Sequence, residues 1–464
     1  MHLTRLASLH RLSSDASLLV NALSGAVDLV NNALRTKLLQ ISLGQQPALP
    51  ERDRQALTER GYLFESEEAE RAALQQVYRA YQQATASRPL QLVVCPTYGC
   101  NLACSYCFQA ADMRARPEVM TERQVQDLFV ALPHLLASRP SKSSQIVLFG
   151  GEPLLPATEL AVAAILARVE ASGSKVQIVT NGFHLERFAA LLKRHRAILQ
   201  GVQITLDGPA AVHDTRRKRT NGQGSFERVV RAVGICLDLG LGVNLRVNLD
   251  AQNLGSLEEL VQLLQEQGWI GRERFRCQLA PVTDHLGTST YPFLMTEDEL
   301  VEPVLGLWRR RPDLRNALDF QLFRVLHHLI AVMEPGQGAR TFPRFHYCEA
   351  ARGEMLAFGP DGLVYVCPES MGTARWAIGT YSPRYRLWSR RLRQWEARSV
   401  LDLPECRDCT LATFCGGGCA YAALRRFGSP GHGVCEGAAE VTRAYIGLLG
   451  ERMSRAGLPK AASA

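Results

Sequence analysis

From Pro89 onward, short apolar runs alternate with longer stretches in which apolar residues return at helical spacing, the pattern of parallel βα units. The candidate strands are Gln91 to Val94, Gln145 to Phe149, Val176 to Thr180, Val202 to Leu206, Leu241 to Leu249 and Phe275 to Ala280. Helix starts are marked by Thr121 with Gln124 and by Ser256 with Glu259, both at capping-box spacing. Phe226, Val229, Val230, Val233 and Leu237 fall on one helical face, which Gly240 stops. These units, over residues 89–290, predict an α/β fold: a partial (β/α)6 TIM barrel with its functional groups at the C-terminal ends of the strands.

The pattern differs on either side. In residues 1–88, Leu18 to Leu23 and Ala26 to Val30 read as a hairpin around Ser24-Gly25. Helices at Asn31 to Leu43 and Glu51 to Arg60, a short strand at Tyr62 to Phe64 and a long polar helix at Ser66 to Thr85 complete a small module. Residues 291–340 read as a helical bridge, with Thr296 and Glu299 opening one helix and Leu314 to Met333 forming a second that ends near Pro335-Gly336. Residues 341–445 are cysteine-rich, and 446–464 read as a tail.

Composition narrows the class. A chain of 464 residues exceeds one simple core, so two or three domains are expected. Apolar content of 46% with 21% charged residues belongs to a globular chain. A net charge of +8 fits either a solvated basic surface or an acidic partner such as a leader peptide. Arg5, His10, Arg11 and Asp15 break any secretory core in Met1 to Leu19. No stretch reaches membrane-spanning length without charges, and nothing calls for nucleic acid. In a chain expected to be cytoplasmic, thirteen cysteines point to metal or catalysis rather than disulfides.

Three of them, Cys100, Cys104 and Cys107, lie in CxxxCxxC spacing on the loop after the first barrel strand. Three thiolates can hold three irons of a cubane and leave the fourth iron open to a substrate or cofactor. A zinc site or a buried structural loop is the alternative; zinc wants a fourth ligand nearby, and the nearest thiol, Cys95, belongs to the strand.

The run CNLACSYC, with Tyr106 before its third cysteine, resembles the signature of radical S-adenosylmethionine (radical SAM) enzymes. The resemblance implies that the open iron chelates SAM, whose reductive cleavage gives a 5′-deoxyadenosyl radical that abstracts hydrogen from carbon. Gly150-Gly151-Glu152-Pro153 resembles the family's GGEP motif, with glycines exposing backbone to a ligand and Glu152 accepting from the SAM ammonium. Asn181 and the Thr205 to Pro209 segment resemble stretches near the ribose and substrate; Thr205 is the expected ribose contact, and Asp207 faces either ligand. His213, Asp214 and Arg217 continue a family-like HDxxR segment, for which surface ion pairing is the ordinary explanation. Arg246 and Asn248 share one facing of their strand, and Arg246 needs a carboxylate of SAM, of substrate or of the protein.

Cys348, Cys367, Cys406, Cys409, Cys415, Cys419 and Cys435 then follow in an order that resembles the SPASM domain of radical SAM enzymes acting on peptides and proteins. The resemblance implies two auxiliary [4Fe-4S] clusters, one held by Cys406, Cys409, Cys415 and Cys435 and the other by Cys348, Cys367 and Cys419. Arg344 to Tyr347, where some relatives carry a fourth cysteine for the second set, has none. That leaves an open iron, a non-cysteine ligand or the distant Cys277. Glu369 stands near the position of a catalytic aspartate of sulfatase-maturing relatives, as a general base or as an exposed turn residue. Residues 1–88 resemble a winged-helix module of the kind that grips a precursor's leader by strand addition, or they are a packing extension.

Together these features predict a cytoplasmic radical SAM/SPASM enzyme that installs a cross-link, thioether, epimerisation or oxidation in a ribosomally made precursor peptide. A flavodoxin or ferredoxin is the expected electron donor. The alternatives are an anaerobic sulfatase-maturing (formylglycine-generating) enzyme, disfavoured by the N-terminal module and the missing aspartate, and a non-catalytic iron-sulfur binding or electron-transfer protein.

Overall fold

A computed structural model describes residues 1–455 except 110, 117, 138, 140, 285–289, 321 and 335–341. The N-terminal module contains β1 (His2–Leu3), β2 (Ala7–Arg11), β3 (Ala16–Asn21), β4 (Val27–Asn31), α1 (Asn32–Ser42), α2 (Glu51–Glu59), β5 (Leu63–Phe64) and α3 (Glu67–Ala86). The expected hairpin is β3–β4, and β2 adds a third antiparallel strand. Strand alternation then divides β3 between two cores. Leu19 packs with Val30, Leu38, Ile41, Leu57 and Tyr62 inside the module, whereas Leu18 and Val20 join the core of the main body.

The barrel region holds β6 (Leu90–Val94), α4 (Ala111–Arg114), α5 (Glu122–Ala137), β7 (Ser144–Leu148), α6 (Glu159–Ala171), β8 (Lys175–Thr180), α7 (Leu185–Arg194), β9 (Leu199–Thr205), α8 (Ala210–Arg216), α9 (Phe226–Asp238), β10 (Val243–Leu249), α10 (Leu257–Glu266) and β11 (Phe275–Pro281). Strands β6 to β11 are parallel neighbours in chain order, as a partial barrel requires. On β10, Val243, Leu245, Val247 and Leu249 are buried in the core, while Asn244, Arg246 and Asn248 occupy the other face. Thr121 and Gln124 form their capping box, each accepting the other's backbone N–H. Ser256 does not: its hydroxyl donates to the Asn253 carbonyl, because a 3-10 turn over Leu254–Ser256 precedes α10.

After α11 (Glu297–Arg310) the expected single helix from Leu314 to Met333 is interrupted. It divides into α12 (Leu314–Ala317), β12 (Leu318–Asp319) and α13 (Arg324–Met333). The open edge of β11 captures Leu318 and Asp319 as a short parallel strand, which supplies the backbone partners that edge lacks. The expected stop at Pro335-Gly336 lies outside the described residues.

The cysteine-rich region begins with β13 (Met355–Phe358), followed by β14 (Leu363–Tyr365), β15 (Gly379–Thr380), β16 (Arg386–Leu387), α14 (Ser389–Glu396), α15 (Ala412–Cys415), α16 (Ala420–Phe427) and α17 (Ala438–Arg455). β13 pairs parallel with β6, so one sheet of eleven strands runs from the barrel into this region. α17 packs against α11 and α13. The boundary expected at 445/446 therefore falls inside a helix, whose Ile446 and Leu448 are buried.

Candidate active site

The C-terminal ends of the barrel strands surround a cavity of 350 Å³. Cys100, Cys104 and Cys107 reach it from the loop after β6; Gly150, Gly151 and Glu152 from the end of β7; Asn181 from the end of β8; Thr205 from β9; and Arg246 from β10. Glu369 enters from the cysteine-rich region, on a 3-10 turn just after Cys367. Pro153 and Asp207 are not part of the wall.

The two glycines permit contact between loops more than exposure to a ligand. A Cβ on Gly150 would meet the Cys95 sulfur at 2.6 Å, and one on Gly151 would overlap the carbonyl oxygens of Tyr98 and Gly99. The turn is pinned there by Gly151 N–H to the Thr97 carbonyl (3.1 Å) and Glu152 N–H to the Gly99 carbonyl (2.9 Å). The Glu152 carboxylate, 1% exposed, accepts from the Thr180 hydroxyl (2.5 Å) and from the N–H groups of Asn181 (2.6 Å) and Leu154 (2.8 Å). Burial raises its pKa against these hydrogen bonds. Asn181 turns its amide to Asn101 (2.8 Å) and toward the Cys100 sulfur (3.8 Å), so it braces the cysteine loop.

Asp207 is a correction. It lies beneath the cavity, 1% exposed, and faces protein groups rather than a ligand. Tyr106 donates its hydroxyl to Asp207 at 2.5 Å, Asn248 its N–H at 3.0 Å and Arg216 its Nε at 3.4 Å. Arg216 is fully buried and also meets Asp250 at 2.5 Å. Nor is the HDxxR segment a surface ion pair. Arg217 is buried and donates to the Tyr106 hydroxyl (2.6 Å). Burial opposes its charge, but Cys104, Tyr106 and Asp207 outweigh this and raise its pKa. His213 is held neutral, burial and then Arg217 lowering it to about 3; its Nδ1 accepts from the Asp207 N–H and its Nε2 lies 3.0 Å from the Ser225 hydroxyl. Asp214 accepts from the N–H groups of Ser225 and Phe226 at the start of α9.

Sequence reasoning missed Arg216 and Arg114. In the adjacent pair Arg216-Arg217, spacing does not reveal which arginine meets Asp207; only the helical facing of α8 does. Arg114 lines the cavity near Cys104, and its Nε, like that of Arg217, is buried without a partner among the described residues. Arg246 donates Nε to the Asn248 side chain (2.7 Å) and has Glu369 among its charged neighbours.

In the cysteine-rich region the thiols fall into two sets. Cys348, Cys367 and Cys419 lie within electrostatic reach of one another. Cys406 has Cys409 and Cys435 as neighbours, and Cys415 has Cys406. Cys277 is with neither: it is buried in the core on β11, paired with Leu318, and its charged neighbour is Asp319. Among the described residues no three His, Cys, Asp or Glu side chains converge on a single-ion site.

Residues 94–264 match the Radical SAM superfamily. Among curated relatives, the Fe-coproporphyrin III synthase of Methanosarcina barkeri is 31% identical over 37% of this chain and 40% of its own length. The mycofactocin maturase MftC of Mycolicibacterium smegmatis is 27% identical over 70% of this chain and 76% of its own. The chain spans about two-fifths of the length of the first of these. Two solved structures share the fold: native anSMEcpe with bound AdoMet (TM-score 0.60, 17% identity, 79% of this chain and 99% of that one), and Streptococcus suis SuiB bound to the precursor peptide SuiA (TM-score 0.53, 14% identity, 93% and 98%).

The family implies SAM and a [4Fe-4S] cluster, and the cavity residues fit both. Three thiols share one wall with two guanidiniums whose buried Nε atoms lack partners among the described residues, an electropositive setting for an anionic cluster. Burial, then the Glu152 and cysteine charges, pushes the Cys100 thiol up to about 12. Bound iron would reverse that balance, since a coordinating thiol is deprotonated.

Proposed function

We propose that this protein is a radical SAM/SPASM enzyme that modifies a ribosomally made precursor peptide. The observation that carries the reading is the single cavity in which the cysteine triplet and the strand-end groups meet Glu369 of the cysteine-rich region. Cys100, Cys104 and Cys107 would hold a cluster that, with SAM, would supply the hydrogen-abstracting radical chemistry. The chain's own residues do the rest. The Gly150-Gly151 turn, Asn181 and Arg217 hold the loop in place; Thr205 lines the side assigned to the ribose; Arg246 offers its guanidinium to a carboxylate; and Glu369 receives a substrate proton beside it. Cys406, Cys409, Cys415 and Cys435 would hold one auxiliary [4Fe-4S] cluster, and Cys348, Cys367 and Cys419 the other.

The peptide reading draws on MftC, a maturase, and on SuiB, whose structure contains a precursor peptide. The N-terminal module, with its three-stranded antiparallel sheet, is the candidate leader-binding element. A flavodoxin or ferredoxin is the proposed electron donor and the cytoplasm the proposed location; among the described residues no helix is long and apolar enough to cross a membrane.

The test is iron content and SAM turnover of the anaerobically reconstituted chain with a low-potential reductant. About twelve irons per chain and 5′-deoxyadenosine are expected, both reduced in the Cys100→Ala/Cys104→Ala/Cys107→Ala variant, which keeps about eight irons and makes no deoxyadenosine. Deoxyadenosine from the triple variant, or none from the intact chain, overturns the reading.

A further inference from the structure

Two buried arginines stand among the auxiliary cysteine loops, and among the described residues neither is in a direct ion pair. Arg398 is 2% exposed and Arg344 is 4% exposed. Among the described residues each donates to backbone carbonyls, and neither is ion-paired with a carboxylate. Arg398 reaches the carbonyls of Pro430 and His432 through Nη1 and those of Gly417 (2.6 Å) and Gly418 (3.0 Å) through Nη2, while its Nε is buried without a partner among the described residues. Arg344 reaches the carbonyls of Tyr347, His346 (3.2 Å) and Arg324 (3.1 Å).

Apart from that of Arg324, these carbonyls belong to the segments that carry the ligands. His346 and Tyr347 precede Cys348, Gly417 and Gly418 lie between Cys415 and Cys419, and Pro430 and His432 precede Cys435. The two guanidiniums thus fasten loops of both cysteine sets. Carbonyl dipoles orient a buried cation but do not neutralise it, and a buried charge without a counter-charge is costly. The groups around Arg398 that would carry negative charge as cluster ligands are Cys348 and Cys419 from one set and Cys406 and Cys415 from the other. Cys348 and Cys415 stand near Arg344, which also has the like charge of Arg324 beside it and the Glu297 and Glu349 carboxylates within electrostatic reach but not ion-paired with it.

We infer that Arg398 and Arg344 are shared counter-cations of the two auxiliary cysteine sets, positioning residues that hold the loops and raise the reduction potentials of the clusters bound there. The inference rests on the auxiliary-cluster reading above. A cation fixed between two thiolate-ligated clusters favours the more negative, reduced form of each, because net charge and hydrogen bonding set such potentials. It also links them: filling one site supplies counter-charge to an arginine that the other site uses.

The experiment is a redox titration of the reconstituted full chain followed by electron paramagnetic resonance, comparing wild type with Arg398→Gln and Arg398→Lys. Arg398→Gln is expected to shift both auxiliary midpoints to lower potential, Arg398→Lys to restore them, and the barrel cluster, far from the substitution in sequence and held by its own arginines, to stay in place as the internal reference. Where Arg398→Gln does not accumulate as folded protein, Arg344→Gln removes the other shared cation and is read in the same way. Auxiliary midpoints equal to wild type in a folded glutamine variant with full iron overturn the inference. Auxiliary iron absent from the wild type itself sinks the cluster reading instead, and the two failures are told apart by the iron count.

Discussion

Glu369 and Arg246 come from distant parts of the chain, 123 positions apart, to face one cavity. A carboxylate beside a guanidinium at a cavity wall is suited to take a proton from substrate while the cation stabilises the charge it acquires. If Glu369 is the base, Glu369→Gln removes proton acceptance with little change in shape. Peptide modification should fall by about 10²–10⁴-fold while 5′-deoxyadenosine still forms, because radical generation belongs to the cysteine side of the cavity. Chromatographic measurement of modified peptide and deoxyadenosine in one reaction checks this, and undiminished modification removes Glu369 from the mechanism. At this scale the sequence was legible where partners are local. The cysteine triplet could be located from its spacing, and Gly150 to Glu152 from their resemblance to a family motif at a strand end. Asp207 could not: its ligands, Tyr106 and Arg216 among them, are brought to it by the loop after β6 and by α8, which no local pattern records.

At the scale of elements, the turn after β7 and the loop after β6 behave as one unit. Their backbones touch at Gly151, where a side chain has no room. Gly151→Ala should displace the cysteine loop at a cost of about 1–3 kcal/mol, the range for an overpacked contact, and should release about four irons per chain. Gly255→Ala is the control, because a Cβ there meets nothing within 4 Å. Iron analysis and thermal unfolding compare the two; full iron in Gly151→Ala would mean that the loop yields without loss. The barrel strands were readable because each combines an apolar run with a following helical period. β12 was not, because Leu318 and Asp319 continue a helical pattern and become a strand only beside β11. β13 did carry a signal, since Pro360-Asp361-Gly362 between two apolar runs is turn chemistry. What that signal lacks is the partner, β6, more than 250 positions earlier.

At the scale of the whole molecule, the N-terminal module rests on the cysteine-rich region. Thr413 donates its hydroxyl to the Ala22 carbonyl, Arg5 reaches the Arg407 carbonyl between Cys406 and Cys409, and Tyr81 on α3 meets the His346 ring at 3.2 Å. Leu18 and Val20 on β3 join the main core in the same direction. A leader peptide held by the module would therefore lie near the auxiliary cysteines, whose region leads through Cys367 and Glu369 to the cavity. If the module is fixed in this way, Leu18→Asp, which places a charge at a position 4% exposed, should cost roughly 3 kcal/mol or more. It should also lower the iron held by the Cys406 and Cys409 loop, because that loop loses its brace. Leu39→Asp, at a position in the same module that is 40% exposed, should do neither. Limited proteolysis with iron analysis separates this from a tethered module: a variant that sheds residues 1–88 while the remaining chain keeps its thermal midpoint and full iron would show that the module is an appendage and not part of the cysteine-rich scaffold.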